Sequence, residues 1–284
     1  MQVSTRHVSR RIRQGTLTAV AIAIALLFTL PTLWMAASAF RPQEEIFRYL
    51  SPLSPYAFLP RQFTLDNFVN LLNGPFFQAL VNSLVTCLIS VIGGLVISTM
   101  AAFALSAMQF RYRELVFGLV VICFLIPFDA IAIPLSDLFR IWDLRNTYAG
   151  IILPGLANGM AIFLLRQFFL GIPAELREAA QVDGAGWWTI LLRVYIPLAQ
   201  PAMIGASLIF FVAQWQTYLW PLLVVTDPNL NLAPVALAEF LGQYNFDFGQ
   251  LFAGAFVLSI IPIGILLPLQ RYFTQSVAAT GSKV

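Results

Sequence analysis

Histidine and lysine are almost missing from this chain of 284 residues: His7 and Lys283 are the single copy of each. With one histidine, in the N-terminal tail, a Ser-His-Asp hydrolase, a histidine-ligated metal centre and a histidine proton relay are excluded. With one lysine, at position 283, no phosphate-binding G-x-x-x-x-G-K-S/T loop can be assembled. The chain therefore does not hydrolyse ATP by that route, and an ATP motor, if one drives it, is another polypeptide. Cysteine is scarce too. Cys87 and Cys123 both lie within apolar stretches, where thiols behave as small apolar side chains, so neither a disulfide nor a metal site is indicated and no cofactor is expected.

Charge is the remaining shortage. Asp, Glu, Lys and Arg make up 10% of the residues, against 59% hydrophobic ones, and no water-soluble fold hides that much apolar surface. The chain is expected to be an all-α integral membrane protein. Six stretches free of charge, or nearly so, are candidate transmembrane helices: 16–39, 79–108, 115–135, 148–170, 201–225 and 248–270. Each crosses about 30 Å of hydrocarbon at about 1.5 Å per helical residue.

Arginines orient these spans, because Lys and Arg are retained on the cytoplasmic side. Arg6, Arg10, Arg11 and Arg13 precede the first span. Placing that end inside puts eleven basic and four acidic residues in the cytoplasm, and five basic and nine acidic residues outside. Both termini are then cytoplasmic, and the formal net charge of +3 reflects membrane topology rather than nucleic-acid binding. The Arg-rich start followed by an apolar run ending Ala36-Ala37-Ser38-Ala39 mimics a secretory leader. Its apolar core of about 20 residues exceeds the 7–15 typical of a signal peptide, so an uncleaved first helix is expected.

Residues 40–78 read as an extracytoplasmic segment: extended, proline-rich chain, then a short amphipathic helix capped near Thr64 or Asp66. A second outer loop, 226–247, contains the turn signal Asp227-Pro228-Asn229. Residues 1–78 form a tail, a first helix and this outer segment, and residues 79–284 form one five-helix core.

Between spans four and five lies a polar, helix-forming island, 173–197. Pro173 suits a first helical position, 174–182 consists of good helix formers, and Asp183-Gly184 offers a turn. A second short helix is expected over 187–194, stopped before Pro197. The product is a helical hairpin at the inner membrane surface. One reading is interfacial packing; the other is docking into a groove on a partner.

Glu178-Ala179-Ala180, three spacers, Gly184, nine more residues and Val-x-Ile-Pro ending at Pro197 resemble the cytoplasmic coupling loop of binding-protein-dependent ABC importer permeases. Asn82-Ser83, Leu153-Pro154, Arg166-Gln167-Phe168-Phe169, Trp215-x-x-Tyr218-x-Trp220-Pro221-Leu222 and Gly281-Ser282-Lys283 are similar to the carbohydrate-uptake branch of that family. Two departures stand out: Val194-Tyr195-Ile196-Pro197 replaces Ile-x-Leu-Pro, and Gln216 stands where an Asn often follows the Trp. The resemblance implies that Glu178, Ala179, Ala180, Asp183 and Gly184, with Arg177, form a coupling helix and turn seated in a cleft of a cytoplasmic ATPase. In that reading Ala179 and Ala180 permit close approach, while Arg177 and Glu178 reach a charged partner.

Polar groups inside a membrane face a bundle interior or a wet cavity. Asp129, between Pro127 and Pro134 near the outer end of span three, fits either a substrate or gate role or an outer-interface acid, and the prolines imply a broken or kinked helix. Gln214, Trp215, Gln216, Tyr218 and Trp220 combine amides with aromatic faces, the pairing that polyhydroxylated ligands use. A continuous helix puts Gln214 and Tyr218 on one face and Gln216 and Trp220 on another, so one pair points centrally. The tryptophans also fit an interfacial aromatic belt. Asn82 and Asn158 fit the pathway or interhelical hydrogen bonds, and Gly155-x-x-x-Gly159 permits close helix packing.

The resemblance implies a multi-pass permease subunit of the bacterial inner membrane, half of a translocation pathway for a sugar or sugar-like solute. Its implied partners are a second, related permease, two copies of an ABC ATPase and an extracytoplasmic solute-binding protein, in membrane lipid and without nucleic acid. Residues 218–223 and 163–169 also look like glycerol-3-phosphate permeases, which leaves an anionic sugar derivative as an alternative; the absence of mid-membrane Lys or Arg speaks against it. A stand-alone ion-coupled secondary transporter is the alternative of another class, with Asp129 as its sole intramembrane carboxylate.

Overall fold

A computed structural model describes residues 2–52, 54–242 and 246–281, with side chains over 14–52, 54–242 and 246–269. The N-terminal arginine tail and the final Ser282-Lys283 contribute no described side chains. Among the described residues every regular element is helical, and the only β pairing is one isolated bridge between Leu241 and Phe246. Two compact units divide it: residues 1–73 with 237–257, and residues 74–236 with 258–284.

In the first unit, α1 (Gln2–Ala39) ends in a proline-rich connection that leads to α2 (Asp66–Asn73). The expected cap is present: the Asp66 amide donates to Thr64 Oγ1 at 3.1 Å. Phe40 packs against Phe63, Phe68 and Phe256, and Asn67 Nδ2 donates to the carbonyls of Ala39 and Arg41 at 2.9 and 2.7 Å. The guanidinium of Arg41 is fully buried there, and this desolvation lowers its pKa, opposed by the nearby Glu45 carboxylate.

The second unit is built around α3 (Pro75–Ala107), an unbroken helix of 33 residues that packs against its neighbours α6, α7 and α11. Those neighbours and the remaining elements are α4 (Arg113–Leu125), α5 (Phe128–Ile141), α6 (Tyr148–Leu156), α7 (Gly159–Leu170), α8 (Ala174–Val182) and α9 (Trp187–Ile190). After a π-helical turn at Leu191–Tyr195 come α10 (Ile196–Leu198), α11 (Gln200–Trp215), α12 (Leu219–Val224) and α13 (Ala233–Glu239). The last helix, α14 (Phe248–Gly281), begins in the first unit and ends in the second.

Four helical stretches are long and apolar enough to cross a membrane: Gln14–Ala39, Pro75–Ala107, Tyr148–Leu170 and Phe248–Leu269. Two further candidates are bent pairs, α4 with α5 at 95° and 187–198 with α11 at 80°. The expected third span, 115–135, is therefore broken. Ile126 adopts extended backbone, because a residue before proline is pushed out of the helical region, and Pro127 with ψ 130° is not helical either. Pro134, by contrast, lies inside a continuous α5.

The expected fifth span, 201–225, is also corrected. Its helix stops at Trp215, and α12 forms a separate short element after an unwound segment, 216–218. Pro221 explains the interruption: it has no N–H for the Thr217 carbonyl, and its ring would clash with that carbonyl in a continuous helix. The second helix of the hairpin runs past its expected end at 194. The π turn accommodates Pro197, with the Ile196 amide donating to the Leu191 carbonyl, five residues back.

Candidate functional site

Three helix breaks in the second unit converge on one cavity of about 520 Å³. Phe128 and Asp129 follow the first break, Ala157 and Asn158 form the second, and Gln216, Thr217 and Tyr218 form the third. Backbone that leaves a helix at membrane depth needs hydrogen-bond partners, so it occurs where it lines protein or a wet cavity. At the second break the Asn158 side chain caps α7, accepting from the Ala161 amide at 2.8 Å. At the third, Thr217 Oγ1 donates to the Ala213 carbonyl at 3.1 Å, which satisfies part of the opened turn.

The unwound segment changes which polar side chains meet. Gln214, Gln216, Tyr218 and Trp220 all line this cavity, so the division into two opposed faces fails because no continuous helix runs through 216–218. Thr86 and Ser90 of α3 add two hydroxyls, and Phe128, Phe210, Tyr218 and Trp220 add aromatic surface. Asp129 is the single Asp, Glu, Lys or Arg among the lining residues. Gly155 lets the wall close: a β-carbon there would collide with the Gln214 carboxamide, while one at Gly159 would strike Phe124 of α4. The pair thus serves close packing, as its spacing implies.

The two tryptophans differ from the belt expectation. Trp215 is buried, donates from Nε1 to the Leu258 carbonyl at 2.9 Å and does not line the cavity. Trp220 is buried edge-on against Phe128 and Phe139 and donates to the Gly150 carbonyl at 3.0 Å. Asn82 is likewise fully buried outside the cavity. Its Nδ2 donates to the carbonyls of Asn229 and Asn231 at 2.8 and 3.0 Å, while its Oδ1 accepts from Gln78 and from the Tyr148 hydroxyl. This is the interhelical use. The turn at 227–229 forms as its sequence implies, with the Asp227 carboxylate accepting from the Asn229 amide.

A second candidate lies in the polar island. Helix α8 ends in a Schellman motif: the Gly184 amide donates to the Gln181 carbonyl and the Ala185 amide to the Ala180 carbonyl, with Gly184 at φ +82°. Ala180 and Ala185 pack onto a core that contains Phe103 and Ala107 of α3, Phe169 of α7, and Ile190 and Tyr195. Tyr195 stands edge-on to both Phe103 and Phe169. The opposite side of the hairpin is open. Glu178, Ala179 and Asp183 are exposed, and beside them Val182 is 88% and Trp188 62% exposed, an apolar display on the open side.

Arg177 departs from expectation. It turns inward, donating from Nη1 to the Ala107 carbonyl at 3.1 Å and from Nη2 to Glu178 at 3.1 Å. Nearby, buried Arg166 of α7 donates from Nε to the Leu105 carbonyl, grips the Glu114 carboxylate at 2.8 and 2.9 Å, and stacks over Phe117. Both arginines thus satisfy carbonyls in the last turn of α3, where intrahelical donors run out.

Sequence reasoning passed over Thr86, Ser90 and Thr217. The first two carried a signal: Asn82, Thr86 and Ser90 recur every fourth residue on a single face of an apolar helix. Among the described residues no group of three or more His, Cys, Asp or Glu could hold a metal.

Residues 94–278 match the family described as the binding-protein-dependent transport system inner membrane component. The chain is 34% identical over 263 residues to the arabinooligosaccharides transport system permease protein AraQ of Halalkalibacterium halodurans, covering 92% of this chain and 93% of that one. It is 31% identical over 231 residues to the sn-glycerol-3-phosphate transport system permease protein UgpE of Salmonella typhi, covering 78% and 82%. Among solved structures, a chain of a bacterial ABC transporter that imports the acidic polysaccharide alginate superposes with a TM-score of 0.77 at 25% identity, covering 91% of this chain and 96% of that one. A chain of the alginate transporter in complex with an alginate pentasaccharide-bound periplasmic protein shares the fold, with a TM-score of 0.62 at 15% identity and coverage of 97% and 99%.

Proposed function

The chain belongs to the family of binding-protein-dependent transport system inner membrane components, the permease subunits of ABC importers, and we propose that its 520 Å³ cavity is half of the pathway for a sugar or sugar-like solute. It is a transport component, not an enzyme; ATP hydrolysis belongs to a separate subunit. The observation that carries the solute reading is the cavity lining. Amides of Gln214, Gln216 and Asn158, hydroxyls of Thr86, Ser90, Thr217 and Tyr218, and four aromatic rings offer polyols hydrogen bonds and stacking surface in one place.

In this reading six spans cross the bacterial inner membrane with both termini in the cytoplasm, two of them bent, and residues 79–284 form the permease core. The hairpin at 173–197 docks in the ATPase through Glu178, Ala179, Asp183 and Gly184, while Ala180, expected beside them, packs inward on the core next to α3. The hairpin's exposed polar and apolar face supports that assignment. The complex comprises this chain, a related permease, two ATPases and an extracytoplasmic solute-binding protein. Asp129, without Lys or Arg beside it in the wall, favours a neutral solute. Likeness to a glycerol-3-phosphate permease and to an alginate importer supports the alternative of an anionic sugar.

The test is co-expression with the partner subunits, copurification, and reconstitution into liposomes with labelled arabinan oligosaccharide and, separately, sn-glycerol 3-phosphate. ATP-dependent uptake that requires the binding protein is expected. Uptake by this chain alone under an ion gradient would overturn the reading.

A further inference from the structure

The hairpin is joined through the chain to α7, whose capping residue Asn158 lines the cavity, and to α11, which walls it with Phe210, Ala213 and Gln214. The third wall, α3, has no such connection. It contributes Thr86, Cys87 and Ser90 to the cavity, and it is the one cavity-lining helix that passes through this region unbroken. Its C-terminus lies against α8. There Arg177, its side chain only 17% exposed, donates to the Ala107 carbonyl at 3.1 Å. The bond is charge-assisted and directional, because the last carbonyls of a helix lack intrahelical donors and carry the negative end of its dipole. Ala180 and Ala185 also touch this end of α3 through the apolar core, but apolar contact alone is non-directional and permits sliding. Arg166 holds the neighbouring Leu105 carbonyl from α7, with its charge committed to Glu114, so it does not link the hairpin to α3.

We propose that Arg177 is a positioning residue that makes α3 move with the hairpin, delivering displacement of α8 to the Thr86–Ser90 wall of the cavity. Ser90 lies seventeen residues from Ala107, about 25 Å along the rod. The inference rests on the reading of the hairpin as the ATPase docking element. It also explains why Arg177 faces inward while its neighbours Glu178 and Ala179 face out.

The test uses the assembled importer in liposomes, with whichever of arabinan oligosaccharide or sn-glycerol 3-phosphate the parent complex takes up. Solute imported per ATP hydrolysed is measured for Arg177→Ala and Arg177→Lys. Arg177→Ala should lower the ratio by about fivefold or more while the ATPase still copurifies. Arg177→Lys, which keeps a cationic donor, should restore it to within about twofold. An unchanged ratio in Arg177→Ala overturns the proposal, and so does loss of the ATPase from that variant, since Arg177 would then act in docking. Neither result touches the permease reading, which fails only if the parent complex does not couple uptake to ATP.

Discussion

Gln214 lies so close against Gly155 that position 155 has no room for a β-carbon. The obstructing atoms belong to the far end of a flexible side chain, so Gly155→Ala should displace the Gln214 carboxamide rather than unfold the bundle. The helix itself gains roughly 0.5–1 kcal/mol from the exchange. The expected outcome is normal insertion with half-maximal uptake shifted to about tenfold higher solute, equivalent to about 1.4 kcal/mol. Uptake titrations in liposomes measure it; an unchanged concentration dependence removes Gln214 from the pathway.

Pro221→Ala restores an amide that the Thr217 carbonyl can accept, so α11 and α12 gain the option of one continuous helix. Proline inside a helix costs about 3 kcal/mol, and relief of that cost favours closing the break. Uptake should fall by at least about tenfold with assembly intact. Full activity in this variant would show that the unwound segment at 216–218 is held open by its surroundings instead.

Gly184 occupies the left-handed region with nothing near its missing β-carbon, so a substitution there acts through the backbone alone. Gly184→Val should strain the Schellman turn by about 1–2 kcal/mol, whereas Asn tolerates the conformation. ATPase retention on copurification should therefore drop for Gly184→Val and stay near parental for Gly184→Asn. Equal retention in both would separate the turn from docking. Ala179→Trp, on the exposed face, should reduce retention without altering insertion.

Glu114 and Arg166 are unequally buried, with side-chain exposures of 64% and 7%. Removing Glu114 leaves a buried cation without its carboxylate; because that carboxylate is itself solvent-exposed and screened, the loss stays below the roughly 3–5 kcal/mol of a fully buried pair. Arg166→Met leaves an exposed carboxylate still paired with Arg113 and an apolar fill over Phe117, at the cost of the single hydrogen bond to the Leu105 carbonyl. Glu114→Ala should thus lower the thermal midpoint in detergent more than Arg166→Met does; the reverse order would refute the argument from burial.

Asp129→Asn removes the carboxylate from the cavity wall. If that charge disfavours anions, the ratio of sn-glycerol 3-phosphate to neutral oligosaccharide uptake should rise by several-fold, at about 1 kcal/mol per charge contact in a wet site. A constant ratio would place charge selection elsewhere in the complex.

Much of the hairpin was legible in the sequence because its determinants are short-range. Pro173, the helix formers of 174–182 and the Asp183-Gly184 turn act within a few residues of one another, and α8 forms over that interval. The glycine pair 155 and 159 was also read for packing; Asn82 was left open between the pathway and interhelical hydrogen bonds, because an amide in an apolar helix serves either, and it lies outside the cavity. The cavity was less legible. Its lining depends on where helices break, and Pro221 carried that signal for the fifth span without its consequence for Gln216 and Trp220 being drawn.

Composition alone settled that the chain is a membrane protein without a phosphate-binding loop of the G-x-x-x-x-G-K-S/T kind, because apolar run lengths and the counts of His and Lys hold in any conformation. Local sequence settled the hairpin and its glycine turn, because helix propensity and capping act over one or two turns. Only the tertiary structure decided that Gln214, Gln216, Tyr218 and Trp220 share a wall with Thr86 and Asp129, and that Arg177 turns inward to α3. Those arrangements join residues some seventy or more positions apart, as with Arg177 and Ala107, and distances of that kind are fixed by packing between helices rather than by the order of residues along any one of them.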